Sequence, residues 1–185
     1  VGVLALGYAA LSNISARTQA YPFMEEMSRY SQAPVAMATR DRLSMIYLEV
    51  VHTESTLTMR RPVGSTLPIH SSAMGRACLA AMDVKEREYL FDAIKKRNED
   101  QWPTIKRNLE RAIRDYQDYG YCLSLGDWAK DVNSVAVPLV HPKHGILTFN
   151  CGAPSYLLNQ EKLENEIGPR LIHMVNNIAM NLNNI

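Results

Sequence analysis

Gly64-Ser65-Thr66-Leu67-Pro68-Ile69-His70-Ser71-Ser72-Ala73-Met74-Gly75-Arg76-Ala77-Cys78-Leu79-Ala80 changes character midway. Gly64 to His70 has no helical period and holds a glycine and a proline, so it reads as loop; Ser71 to Ala81 has an apolar spine among small residues and reads as a short helix. Ser71 or Ser72 can cap that helix by accepting from an orphan N–H. The amides near Ala73 and Met74 then point out of its positive end, where small side chains let another molecule approach the backbone. The stretch therefore reads either as a capped, packed helix or as a cradle for an anionic or polar small molecule.

Working outward, the flanking chain alternates between helical and extended pieces. Upstream, Arg17 to Tyr30 places Phe23, Met27 and Tyr30 on one helical side, with Pro22 in a first turn or at a kink. Pro34–Arg40 and Leu43–Val51 read as a hairpin about Asp41-Arg42, and Thr56–Arg60 alternates as a third strand. Downstream, Asp83 to Glu86 makes a capping box for a helix with Tyr89, Leu90, Ala93 and Ile94 inward. Thr104 reads as the cap of a helix carrying Ile105, Leu109, Ala112, Ile113 and Tyr116, which Gly120 stops. Tyr121–Leu125, Ser134–Val140 and Ile146–Cys151 are strands, and Gly126–Asn133 is a polar turn region with an exposed aromatic, Trp128. In Gln160–Ile185, Leu163, Ile167, Leu171, Met174, Ile178 and Leu182 form a stripe that reads as a face on the sheet or a coiled-coil seam. The sum is an α+β fold: an antiparallel sheet of about six strands, mostly hairpin-joined, covered by helices.

Composition bounds what this fold does. The chain has 185 residues, enough for one domain with a substantial core; 46% are hydrophobic and 21% charged. A net charge of +1 gives no electrostatic case for nucleic acid or an anionic membrane. Three separated cysteines argue against a disulfide framework and for a cytoplasmic setting. No apolar run reaches the ~18 residues of a membrane span. Val1–Leu11 reads as an apolar helix inside a longer chain, with no basic leader.

Catalytic motifs are absent: there is no GxSxG elbow, HExxH or Walker loop. His141 and His144 bracket a turn, no histidine has metal spacing with a cysteine pair, and Cys151 reads as a small buried residue. No metal or cofactor is expected. Ser124, Ser134 and Asn150 interrupt otherwise apolar strands. Either they face solvent, or they converge on a cavity where a ligand meets their hydrogen-bonding needs.

Gly64 to Arg76 resembles the signature loop and helix of the IclR family of bacterial transcriptional regulators, G-x-x-x-P-x-[HY]-x-[ST]-[AG]-x-G-[KR]. Tyr119-Gly120-Tyr121 is similar to the family's G-[YF], Ser134 to Pro138 to its A-[VAI]-P strand, Gly152-Ala153-Pro154 to its G-P turn, and Val3 to Gly7 to its L-x-L-G segment. The pieces occur in family order over nearly the whole chain. The resemblance implies a helical linker over residues 1–13 and, over 14–185, a GAF- or profilin-like effector-binding domain that is not an enzyme. It implies homodimers or tetramers, with Val1–Leu11 and the Gln160–Ile185 stripe as candidate contacts. Operator DNA would be met only through a separate N-terminal winged helix-turn-helix. By position, a small organic acid or aromatic effector would touch Met59, Leu67, Ala73, Met74, Ser124, Val132, Ser134, Asn150 and Gly152. Some members carry aspartate at Ser124, cysteine at Ser134 and serine at Asn150, so a relative's effector does not transfer. The alternatives are an enzyme of small-molecule metabolism using the same pocket and a dimerisation module that binds no ligand.

Overall fold

The computed structural model describes Gly2, Gly7 and residues 15–52 and 61–183. The expected strand Thr56–Arg60, with Met59, and the body of the expected helix Val1–Leu11 lie outside the described residues. The elements run α1 (Ser15–Ser31), β1 (Val35–Asp41), β2 (Ser44–Val51), β3 (Thr66–Pro68), α2 (Ala73–Ala81), α3 (Val84–Arg97), α4 (Trp102–Tyr119), β4 (Cys122–Leu125), β5 (Val132–His141) and β6 (Gly145–Pro154). A turn at Gln160–Lys162 and a wider π-helical turn at Leu163–Ile167 then lead into α5 (Gly168–Asn183). The strands form one antiparallel sheet in the order β3-β2-β1-β6-β5-β4. The fold is α+β, with helices on both faces.

Side-chain alternation along the strands decides what each face covers. Val35 and Met37 on β1, Val135, Val137 and Leu139 on β5, and Leu147, Phe149 and Cys151 on β6 bury one face against α1 and α5. Every member of the expected stripe, Leu163, Ile167, Leu171, Met174, Ile178 and Leu182, packs there, so the stripe is a face on the sheet and not a coiled-coil seam. Ala36, Ala38, Met45, Tyr47 and Ala136 point to the opposite face, where α2 lies on the sheet with α3 and α4 beyond it.

A bulge in the β1–β2 pairing adjusts this second face. Met37 pairs with Glu49 and Ala38 with Tyr47, leaving Leu48 as the extra residue. The phase of β2 therefore shifts, and Val50 joins Tyr47 on the α2 side. Glu49 turns to the α1 side, where Arg17 meets it at 2.8 Å.

Several expectations are corrected. Thr66–Pro68, read as loop, is a strand: Leu67 pairs with Met45 and Pro68 with Ser44 at the sheet's edge, where proline is tolerated. Helix α4 begins at Trp102 with Pro103 in its first turn, so Thr104 lies inside it and caps nothing. Tyr89 is 74% exposed, because α3 buries only Leu90 and Ile94. Asp83 caps α3 as expected, accepting from Lys85 N–H at 2.9 Å. Gly120 ends α4 at φ 83°. No described helix is long and apolar enough to cross a membrane.

Candidate functional site

The Gly64–His70 segment and the start of α2 form one wall of a cleft over the second sheet face. Ser72 shapes that wall. Its Oγ accepts from Gly75 N–H at 3.1 Å and donates to the Pro68 carbonyl at 2.7 Å. One hydroxyl thus caps α2 and fastens the loop to it. Replacing Ser72 by alanine is expected to cost about 1–2 kcal/mol. Urea unfolding checks this; a midpoint equal to the parent's would show that the cap is redundant.

Gly75 sets how closely the wall can sit. A Cβ there would stand 2.0 Å from the Ile69 carbonyl oxygen, so the loop packs directly on the backbone of α2. Behind the wall, Arg76 is 2% exposed. Its guanidinium donates to the Leu123 carbonyl and to Asp127 Oδ2, both at 2.8 Å, and to the His70 carbonyl at 3.4 Å. It therefore pins the 126–131 loop and the end of β4 to α2. Burial, then the nearby Arg76 charge, holds His70 below the ordinary histidine range.

The cleft is open to solvent at its mouth, and the space within it that the centre of a water-sized sphere can occupy is about 50 Å³. Of the residues expected at a ligand, Leu67 and Ala73 on the loop–helix wall, Val132 and Ser134 on β5, and Asn150 and Gly152 on β6 line this cleft. Gly152 keeps the floor clear, since a Cβ there would stand 2.9 Å from Ser134 Cβ. Two expected residues do not line it. Met74 is fully buried in the core between α2 and its neighbours. Ser124 is 1% exposed and donates to the Ser71 carbonyl at 2.8 Å. Its polarity is answered by protein, because β4 runs beneath the loop and presents the hydroxyl to it.

The sequence reading missed Ala36, Tyr47, Val50, Arg61, Ser72 and Trp128, which also line the cleft. Trp128, read as exposed, is half-buried, and the Arg61 guanidinium carbon lies 4.6 Å from its ring centroid. Tyr47 is pushed up to about 12 by burial, with Arg61 opposing the shift, and stays a neutral phenol. The lining is thus mostly apolar or aromatic, with Ser72, Ser134 and Asn150 as hydrogen-bonding groups and Arg61 as a cation. Among the described lining residues there is no cysteine, histidine, aspartate or glutamate.

The remaining reactive side chains lie elsewhere. Cys78, Cys122 and Cys151 are buried free thiols. Burial raises all three, Cys78 to about 12 and Cys151 to about 11, which leaves them unreactive. His141 and His144 stack at the β5–β6 turn, where His141 Nδ1 accepts from the Lys143 and His144 amides. No cluster of three metal-ligating side chains occurs among the described residues.

Comparison with known proteins accounts for this arrangement. Residues 8–180 match the family described as bacterial transcriptional regulator IclR C-terminal. The HTH-type transcriptional regulator TsaQ1/TsaQ2 of Comamonas testosteroni is 32% identical over 179 residues, covering 95% of this chain and 64% of its own length. This chain therefore spans less than two thirds of that regulator. The crystal structure of an IclR family transcriptional regulator from Brucella abortus superposes with a TM-score of 0.94 at 58% identity, over 97% of this chain and 68% of that one. A double mutant of the PobR inducer-binding domain from Acinetobacter, in complex with 3-hydroxybenzoic acid, shares the fold. Its TM-score is 0.70 at 16% identity, over 88% of this chain and 97% of that one. The chain belongs to the IclR family of bacterial transcriptional regulators and corresponds to their C-terminal effector-binding domain.

Proposed function

We propose that the cleft between the Gly64–Ala73 wall and strands β1, β2, β5 and β6 is the effector site of this domain. Occupancy there would control operator binding by a winged helix-turn-helix domain of the full regulator. The observation that carries the reading is the lining: an apolar and aromatic interior with Ser134 and Asn150 at its floor and Arg61 in its wall. Such a lining suits a small organic molecule bearing a few polar groups. The 3-hydroxybenzoic acid held by the PobR domain is a ligand of that kind. The described lining places no cysteine, histidine, aspartate or glutamate beside Ser72 and Ser134, and the role proposed for the cleft is binding and release. Signalling then requires the ligand to favour one of two quaternary arrangements, in a dimer or tetramer, through a difference in affinity between them. The first residues, 1–13, fit a connection to the DNA-binding domain.

Calorimetry against a panel of aliphatic and aromatic carboxylic acids is expected to find a saturable binder at one site per chain. Ser134→Leu should abolish that binding, because the added bulk enters the cleft beside Gly152, while the melting temperature stays within about 4 °C of the parent. A leucine variant that binds as the parent does would move the site elsewhere. Turnover of the binder would replace a sensor with an enzyme.

A further inference from the structure

Arg61 is the one charged side chain among the described residues of the cleft lining. Of the other arginines packed into the fold, Arg17, Arg40 and Arg76 each meet a carboxylate, at 2.8, 2.7 and 2.8 Å respectively, and Arg87 donates to the Leu79 and Ala80 carbonyls. Arg61 forms no ion pair among the described residues. It lies over the ring of Trp128, with Tyr47 close enough to feel its charge. A planar guanidinium can stack on an aromatic face and still donate in its own plane, in the fork geometry that matches a carboxylate. An ammonium cannot do both. Trp128 is itself fixed in place, since the preceding Asp127 is bonded to the buried Arg76.

Resting on the effector-site reading above, we infer that Arg61 is the residue that selects a carboxylate ligand, with Trp128 as the platform that orients its guanidinium. The carboxylate takes the guanidinium's in-plane donors. The ligand's apolar body lies along Tyr47, Val50 and Leu67, and its far end reaches Ser134 and Asn150. A single cation in a small cleft matches one negative charge, so a monocarboxylate is favoured over a phosphate dianion. Trp128 thus becomes a reporter of occupancy.

The test uses benzoate and phenylacetate against their neutral isosteres, benzamide and phenylacetamide. Affinities come from calorimetry, and Trp128 emission is followed in a Trp102→Phe background. Trp102 packs edge-on against Phe91 on α3, so the replacement leaves the cleft intact. The acid should bind at least ten-fold more tightly than its amide and shift Trp128 emission. In Arg61→Gln the acid should fall to the level of the amide, the amide should be unaffected, and the emission shift should vanish. Arg61→Lys should keep part of the preference, since it keeps the charge without the fork. An acid-to-amide ratio that survives Arg61→Gln overturns the inference and leaves the effector site standing. Failure of all four probes to bind the parent chain overturns the inference together with the effector-site reading for this ligand class.

Discussion

Gly75→Ala should lower the melting temperature by roughly 6–12 °C, the equivalent of about 3 kcal/mol for a domain of this size. Helix propensity predicts the opposite sign, since alanine replaces glycine inside α2 with a gain of about 1 kcal/mol. The clash decides the outcome. The added methyl would sit 2.0 Å from the Ile69 carbonyl oxygen, 2.4 Å from its Cα and 2.5 Å from its carbonyl carbon. All three are backbone atoms, so no rotamer change relieves the overlap. The Gly64–Ser72 segment must lift from α2 as a unit, which also breaks the Ser72 bonds to Pro68 and Gly75. That segment is the cleft wall, so ligand affinity should fall along with stability. Calorimetric melting of Gly75→Ala beside a helix-surface control of the same type measures the sign directly. A variant as stable as the parent would mean that the loop does not rest on α2 as described.

The same segment shows what a sequence discloses and what it withholds. The start of α2 was readable because capping is local: a serine, three residues and an orphan amide suffice. The long C-terminal helix was readable because its stripe, Leu163 to Leu182, repeats over about five turns. Strand β3 was not, because three residues with a proline carry no period; they become a strand only by pairing with Ser44–Ile46. In the cleft, Ser134 and Asn150 were readable as polar positions in apolar strands, and Gly152 through the family resemblance. Ser124 carried the same signal and answers to a different partner, the Ser71 carbonyl, which nothing local reveals. Met74 followed from the motif, but the helix turns its side chain into the core. Arg61 gave no signal, because an arginine beside a proline reads as solvated surface. Its place depends on Trp128, which folding brings to it from a distant loop. Trp128 could have been found from its neighbour Asp127, had Arg76 been recognised as a buried cation in need of a carboxylate.

Asp127→Ala and Arg76→Met should have unequal effects, and the inequality tests what holds the Trp128 loop. Asp127 is partly exposed, with 26% of its side-chain surface open, whereas the Arg76 side chain is 2% exposed. Removing the aspartate leaves a buried guanidinium without its counter-charge, a loss of about 3–5 kcal/mol. Removing the arginine takes the buried charge away, fills much of its volume with methionine and leaves a carboxylate that water can reach. What remains is chiefly the cost of the vacated Leu123 carbonyl, about 1–3 kcal/mol, since the His70 contact at 3.4 Å is long and weak. Asp127→Ala is therefore expected to be the less stable of the two single variants. The double variant should be more stable than Asp127→Ala alone, a sign reversal that additive contributions cannot produce. Urea unfolding of the four proteins closes the cycle. If Arg76→Met proves the more damaging change, the arginine acts chiefly through its carbonyl bonds. The ion pair would then not be what fixes Trp128 against the cleft.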